Sequence, residues 1–154
     1  RSRTQKLDEF LHAAHNLQFL VPNAMAKETG LTKAGKTSSR AKDNACTEQG
    51  RRILVVEFDT HDALEDQAAV LSSLSTPRAP LCMVVYSGGK SLHGWYNVSK
   101  LTTAEKLGFF QFAVYLGADY SLWNTAGLVR MPGGARDTGK KQFICFFNPE
   151  AMPL

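Results

Sequence analysis

The stretch "LCMVVYSGGKSLHGWYNV", residues 81–98, places a small cationic turn between two apolar runs. Residues 81–86 are apolar and partly β-branched, and residues 91–98 mix apolar and polar side chains, so both are predicted as β-strands. The turn between them consists of Ser87, Gly88, Gly89 and Lys90. Glycines allow successive backbone N–H groups to converge on an anion, so the turn is either an anion site or a simple hairpin with an exposed lysine. It is not a P-loop, which requires a glycine where Val84 stands and a helix after the turn.

The flanking sequence supplies the remaining elements of an α+β fold. Residues 52–58 and 142–147 are further apolar strands, and a helix is predicted after the first strand and after the third. The first helix carries a capping pair, Asp62 with Glu65, and an apolar face of Leu64, Ala68, Leu71 and Leu74. The second carries the pair Thr102 with Glu105, an apolar face of Leu107, Phe110, Val114 and Tyr115, and a stop at Gly117.

The order of elements from residue 52 is therefore β-α-β-β-α-β, the split-βαβ or ferredoxin-like unit. In that unit the first and third strands are adjacent, central and antiparallel. We therefore expect Glu57 and Asp59, at the end of the first strand, to lie close to the start of the third. That start carries Ser91 and His93, 34 residues further along the chain.

The first fifty residues are predicted as a separate N-terminal part. Residues 4–15 have the apolar spacing of a helix, and residues 17–21 are a short strand candidate. Residues 23–50 are polar and rich in glycine. Their basic side chains are Lys27, Lys33, Lys36, Arg40 and Lys42. Such a stretch is either a solvated loop or a loop that contacts a polyanion.

Composition sets broad limits on the class of protein. With 154 residues and 44% hydrophobic content, the chain is long enough for one domain with its own core. A formal net charge of +4 permits nucleic-acid binding without requiring it. Three widely spaced cysteines without a CxxC pair, and no long apolar run, indicate a soluble protein of a reducing compartment, the cytoplasm, with no membrane partner. The start at Arg1 suggests a piece of a longer protein.

Three groups of residues carry chemistry. Glu57 and Asp59 share one face of a strand about 6.5–7 Å apart, and such a pair either binds a divalent metal ion or pairs with nearby arginines. Ser91 and His93 share a face of the neighbouring strand. Asp119 follows the end of the second helix and is either an inward-facing acid or a cap. Arg130 precedes the bend "MPGG" and is suited to binding phosphate or carboxylate through two nitrogens, although a single arginine is commonly a surface charge.

In combination these motifs resemble the archaeo-eukaryotic primase superfamily, in particular the primase-polymerase domains of plasmids, phages and mobile elements. The resemblance covers residues 53–147. "EFD" is similar to the family's first acidic motif, "SGGKSLHGW" to its SxH motif, and "ADYSLWNTAGLVRMPGG" to its third motif. It implies an archaeo-eukaryotic primase-like fold, with an RRM-like catalytic unit over residues 51–150 and an N-terminal α/β unit over residues 1–50, in one domain of residues 1–154.

The resemblance also implies roles for the residues. Glu57, Asp59 and Asp119 would bind Mg²⁺ or Mn²⁺ as catalytic carboxylates. The catalytic His93 would contact the triphosphate, and Arg130 would bind phosphate. Ser87, Gly88, Gly89, Lys90 and Ser91 would complete the nucleotide site.

The expected activity is template-dependent nucleotidyl transfer in the replication of a plasmid, phage or mobile element. The partners would be a single-stranded DNA template, (d)NTPs, and a fused or associated helicase. Two alternatives remain: a non-catalytic RRM-like nucleic-acid-binding module, and a metal-dependent replication nuclease. A binding module displays aromatic residues on its sheet, and a nuclease needs a water activator or a tyrosine nucleophile.

Overall fold

The computed structural model describes residues 7–59 and 63–153. The first six residues, which include the start of the predicted first helix, lie outside these ranges, as does Asp62, the expected N-cap of the next helix. That helix begins at Leu64, with Ala63 as its N-cap residue and no side-chain cap. The cap predicted at residue 62 therefore stays a prediction.

The described ranges contain α-helices, short 3₁₀-helices and strands, which confirms the predicted α+β class. The α-helices are α1 (Leu7–Ala13), α2 (Leu64–Ser73) and α3 (Thr103–Tyr115). The strands are β1 (Phe19–Leu20), β2 (Gly30–Leu31), β3 (Thr37–Ser38), β4 (Ile53–Glu57), β5 (Leu81–Tyr86), β6 (Leu92–Asn97), β7 (Val129–Arg130) and β8 (Phe143–Phe147). The 3₁₀-helices span Ala14–Asn16, Lys42–Asn44, Tyr120–Trp123 and Pro149–Ala151. None of the helices in the described part of the chain has the length and apolar character needed to cross a membrane.

The central sheet has four antiparallel strands in the order β4-β6-β5-β8. The predicted pairing of the first and third strands is confirmed, because β4 pairs with β6 and Glu57 lies opposite His93. The predicted central place of the first strand is wrong: β4 is an edge strand, and β6 and β5 are central. The last strand joins β5 instead of β4, so the sheet order differs from that of the expected split-βαβ unit.

The path of the chain after α3 explains this order. Next to the end of β4, the Asp119 amide donates a hydrogen bond to the Glu57 carbonyl over 3.0 Å. Further on, β7 pairs with β1, which lies away from the helices. The chain therefore passes from the helix side of the sheet to the other side before β8, and β8 takes the edge beside β5.

The two sides of the sheet have separate cores. On the helix side, Leu54, Val56 and Tyr96 pack against Leu71 of α2 and Phe110 of α3. On the other side, which we call the β7 side, the core contains Val55, Val85 and Trp95 of the sheet and Val129 of β7, with Leu20 of β1 packed against it. Because side chains alternate along a strand, Glu57 and His93 point to the β7 side.

Helices α2 and α3 bury fewer of their apolar residues than the sequence predicts. The capping box of Thr102 and Glu105 is confirmed at the start of α3. The buried residues of α3 are Lys106, Phe110 and Ala113. The predicted burial of Leu107 and Tyr115 is wrong, since they are 40% and 84% exposed. In α2, Leu71 is buried, whereas Leu64 and Ala68 are exposed and line an apolar groove of about 450 Å³ beside β5 and β8.

Candidate functional site

The predicted contact between the first and third strands centres on Glu57. The Ser91 hydroxyl donates to Glu57 Oε1 over 2.5 Å, and His93 Nε2 lies 3.3 Å from the same oxygen. Burial acts to raise the pKa of Glu57, but the contacts with His93 and Ser91, and the nearby charge of Arg130, lower it overall. Glu57 is therefore an ionised carboxylate, 20% exposed, at the end of an edge strand.

The turn that follows β5, residues 87–90, is held rigidly, and we call it the glycine turn. The Ser87 amide donates to the Ser91 carbonyl over 2.9 Å, which closes the turn. Gln67 of α2 donates to the Lys90 carbonyl over 3.0 Å and accepts from the Leu92 amide over 2.8 Å. Gln67 is fully buried. This single side chain of α2 therefore fixes both the end of the glycine turn at Lys90 and the start of β6 at Leu92.

Both glycines of this turn have close neighbours that an added Cβ would meet. Gly88 has φ +72°, in the left-handed region, and a Cβ there would meet the Lys141 carbonyl at 2.9 Å. A Cβ on Gly89 would meet Nη1 of Arg136 at 2.6 Å. The Arg136 guanidinium therefore lies directly on the glycine turn, which makes the turn more positive than its own sequence indicates.

Arg130 is the second guanidinium of the site. Its Nη1 donates to Gln18 Oε1 over 3.0 Å, and its Cζ lies 4.4 Å from the centre of the Phe19 ring. Burial lowers the pKa of Arg130, the positive charge of Arg136 lowers it further, and Glu57 acts in the opposite direction. Arg130 therefore lies within electrostatic range of both Glu57 and Arg136.

Several polar atoms of the site are buried without a hydrogen-bond partner. His93 is 3% exposed, and neither of its ring nitrogens makes a well-aligned hydrogen bond within the described residues. The buried Nε of Arg136 also has no partner there. Because leaving such atoms unsatisfied costs free energy, they make this part of the molecule a candidate place for a ligand's acceptor atoms.

The other two predicted carboxylates, those of Asp59 and Asp119, contact different residues from those that contact Glu57. Asp59, 49% exposed, follows β4, and its Oδ2 lies 3.6 Å from Lys90 Nζ. Lys90 is 76% exposed and also donates to the Asp59 carbonyl over 3.2 Å. The backbone of Asp119 is bonded to Glu57, but its carboxylate accepts from the amide and hydroxyl of Ser121 and caps the following 3₁₀-helix.

We tested the fit of this carboxylate set to a divalent ion on its donor chemistry. Three carboxylates supply the hard oxygen ligands that Mg²⁺ and Mn²⁺ prefer. Within the described residues, no three His, Cys, Asp or Glu side chains are gathered closely enough to hold a metal ion. Glu57 contacts Ser91 and His93, and Asp119 contacts the amide and hydroxyl of Ser121, although an ionised carboxylate accepts several bonds. The three side chains therefore have the donor chemistry for a divalent ion but are not clustered around one point.

Sequence reasoning predicted the closeness of Glu57 to Ser91 and His93, which the structure contains, and it missed two neighbouring features. The glycine turn adjoins these residues, and Arg130 of β7 lies within electrostatic range of Glu57. Arg136 was missed, although it stands six residues after Arg130 in the same glycine-rich segment. The supports of Arg130, Gln18 and Phe19, were also missed, because no local pattern signals the pairing of β1 with β7.

Comparison of the chain with protein-family models, with curated proteins and with solved structures gives no match.

Proposed function

We propose that this chain is the catalytic domain of a template-dependent DNA primase-polymerase, with the archaeo-eukaryotic primase-like fold that its motifs suggest. The reaction would be the transfer of a nucleotidyl group from a nucleoside triphosphate to a 3′-hydroxyl. The observation that carries the proposal is the meeting, at one end of the sheet, of an ionised carboxylate with a buried histidine 3.3 Å away, beside a glycine turn on which the Arg136 guanidinium lies and with Arg130 in electrostatic range.

This arrangement suits phosphoryl transfer because that chemistry depends on positioning and charge neutralisation. Arg130 would bind phosphate oxygens from the β7 side, and His93 would donate to them through a ring N–H. Ser91 holds Glu57 in a fixed orientation through its hydroxyl. Lys90, mostly exposed, adds positive charge at the entrance.

Glu57, Asp59 and Asp119 would hold the divalent ions. Bound Mg²⁺ or Mn²⁺ supplies charge neutralisation on the phosphates and activates the attacking hydroxyl. The chain's own part is to keep the buried Glu57 ionised, because the contacts with His93 and Ser91 more than offset the effect of burial, which raises the pKa of that carboxyl.

The alternative of a non-catalytic RRM-like binding module has less support. Such a module stacks bases on aromatic residues of an open sheet face. Here Trp95 of the central strand β6 is 5% exposed, because β7 and β1 cover that side. Exposed phenylalanines do occur, but on the edge strand β8, where Phe143, Phe146 and Phe147 are about half exposed.

The test is incorporation of labelled nucleotides on single-stranded DNA with Mn²⁺ or Mg²⁺, with and without a primer. Wild type is compared with the double variant Glu57→Ala/Asp59→Ala. The matched control is Asp8→Ala/Glu9→Ala, which removes two exposed carboxylates from α1.

We expect product from wild type and the control, and none from the Glu57/Asp59 variant. Product in the lane without primer would add primase activity. Absence of product in every lane, together with tight DNA binding, would overturn the proposal in favour of a binding module. Cleavage of the DNA that depends on Glu57 would favour a nuclease.

A further inference from the structure

Besides the Glu57 carboxylate, the candidate site contains two guanidiniums, those of Arg130 and Arg136. Arg130 lies within electrostatic range of both Glu57 and Arg136. The Ser91 hydroxyl joins Glu57 to the Ser87 hydroxyl, and the Arg136 guanidinium lies on the neighbouring Gly89. The glycine turn therefore adjoins the carboxylate at Ser91 and the Arg136 guanidinium at Gly89.

The position of Arg136 is built rather than incidental. Its backbone is fixed in a tight turn, with the Arg136 amide donating to the Lys140 carbonyl over 2.8 Å and the Gly139 amide donating to the Arg136 carbonyl over 2.9 Å. Its buried Nε has no partner among the described residues. Two neighbouring guanidiniums repel each other, and an anion between or beside them removes the repulsion.

We infer that Arg136 binds the leaving-group phosphates of the incoming nucleotide, over a glycine turn whose Gly89 is required to leave room for its guanidinium. The inference rests on the proposed function, and it assigns a substrate-binding role to a residue outside the recognised motifs. With the reacting phosphate at Glu57, the two outer phosphates would extend along the glycine turn toward Arg136.

This assignment makes a prediction about phosphate number. A guanidinium that contacts only the outer phosphates strengthens the binding of a triphosphate and leaves a monophosphate unaffected. Arg136→Ala should weaken dATP binding about tenfold or more, since charge-assisted hydrogen bonds are lost. The affinity for dAMP should stay within about twofold, because dAMP lacks the phosphates that Arg136 would reach.

Gly89 provides an independent test. Its φ lies outside the left-handed region, so Gly89→Ala is compatible with the backbone, unlike a substitution at Gly88. The added Cβ would meet the guanidinium end of Arg136, which has to move away, and would otherwise lie at ordinary contact distance, 3.6 Å, from the Ser87 hydroxyl. Gly89→Ala should therefore weaken dATP binding in wild type and have no further effect in the Arg136→Ala background.

The experiment is titration calorimetry of dATP, dADP and dAMP with Mg²⁺, on wild type, the two single variants and the double variant. Lys140→Ala, an exposed cation in the same loop, is the matched control and should leave all affinities unchanged. Unfolding midpoints establish that every variant is folded.

The outcomes separate the inference from the proposed function. If wild type binds dATP and Arg136→Ala binds it equally well, the inference is wrong and the proposed function stands. Equal losses for dATP and dAMP would also overturn it, because they would indicate a general structural effect. If wild type binds none of the three nucleotides, the inference and the proposed function both fail. Loss confined to dATP and dADP, with non-additive effects of Gly89→Ala and Arg136→Ala, supports the inference.

Discussion

Ser91 Oγ lies 2.5 Å from Glu57 Oε1, and this bond joins the SxH segment to the first acidic segment across two antiparallel strands. Ser91 is 4% exposed, and its Oγ also lies 3.0 Å from the Ser87 hydroxyl. The serine therefore connects the glycine turn to the carboxylate, and its removal has consequences that are measurable separately for charge and for stability.

Ser91→Ala should raise the pKa of Glu57 toward its ordinary value, because one of the groups that lower this pKa is removed. A carboxyl whose pKa is lowered on folding stabilises the protein above its unfolded pKa, and that stability is lost as the pH falls through the folded pKa. We expect the acidic limb of nucleotide incorporation to move to higher pH in Ser91→Ala. At pH 7 the unfolding free energy should fall by about 1 kcal/mol, measured by urea titration. If the acidic limb does not move, Ser91 does not influence the ionisation of Glu57.

His93→Leu should abolish nucleotide binding and lower the unfolding free energy at pH 7 by about 1 kcal/mol. The buried ring lies 3.3 Å from Glu57 Oε1 and is the first of the contacts that lower the pKa of Glu57, so an apolar side chain of similar size removes that stabilisation of the carboxylate. Calorimetry with dATP and urea titration measure the two effects. The control is His12→Leu on the exposed face of α1, which should alter neither. A loss of stability without any loss of nucleotide binding would assign the histidine a structural role instead.

Lys106→Met should destabilise the fold by about 1–3 kcal/mol, because three backbone carbonyls lose their donor. Lys106 is 1% exposed, and its Nζ donates to the carbonyls of Glu48, Gln49 and Arg51 over 3.0, 3.1 and 2.7 Å. Urea midpoints provide the measurement, with the exposed Lys100→Met as control. A midpoint equal to that of wild type would mean that solvent satisfies these carbonyls.

Neutralising Lys27, Lys33 and Lys36 together should reduce the salt dependence of DNA binding. All three are exposed in the polar segment 23–50. Arg40 of the same segment is instead half-buried and donates to the Ala126 carbonyl over 2.8 Å. The slope of log K against log salt for single-stranded DNA should fall in magnitude by up to about 2, since each lysine contacts at most one phosphate. An unchanged slope would show that the loop is solvated and does not contact DNA.

The sequence was most informative where strand alternation and element order act together. The pairing of β4 with β6 follows from the order of elements, and with it the meeting of Glu57 with Ser91 and His93. The capping box at Thr102 was likewise readable, because it depends on residues three positions apart.

What could not be predicted depends on segments without periodicity. The edge position of β4 results from the path of residues 117–142, which contain little regular structure. Arg136 reaches the glycine turn through that same segment, and a basic residue in a loop carries no signal of the surface it will contact. The exposure of Tyr115 arises because nothing within the described residues packs on that side of α3.

The pairing of β1 with β7 has a kinetic consequence. Gln18 and Arg130 are 112 residues apart in sequence, whereas Ser91 and Glu57 are 34 apart. Closing the longer loop costs more chain entropy, and contacts of high sequence separation slow folding. The carboxylate half of the site is therefore expected to assemble before the arginine half. During refolding, the protein would pass through a state in which Glu57 contacts His93 while Arg130 still lacks its contacts with Gln18 and Phe19.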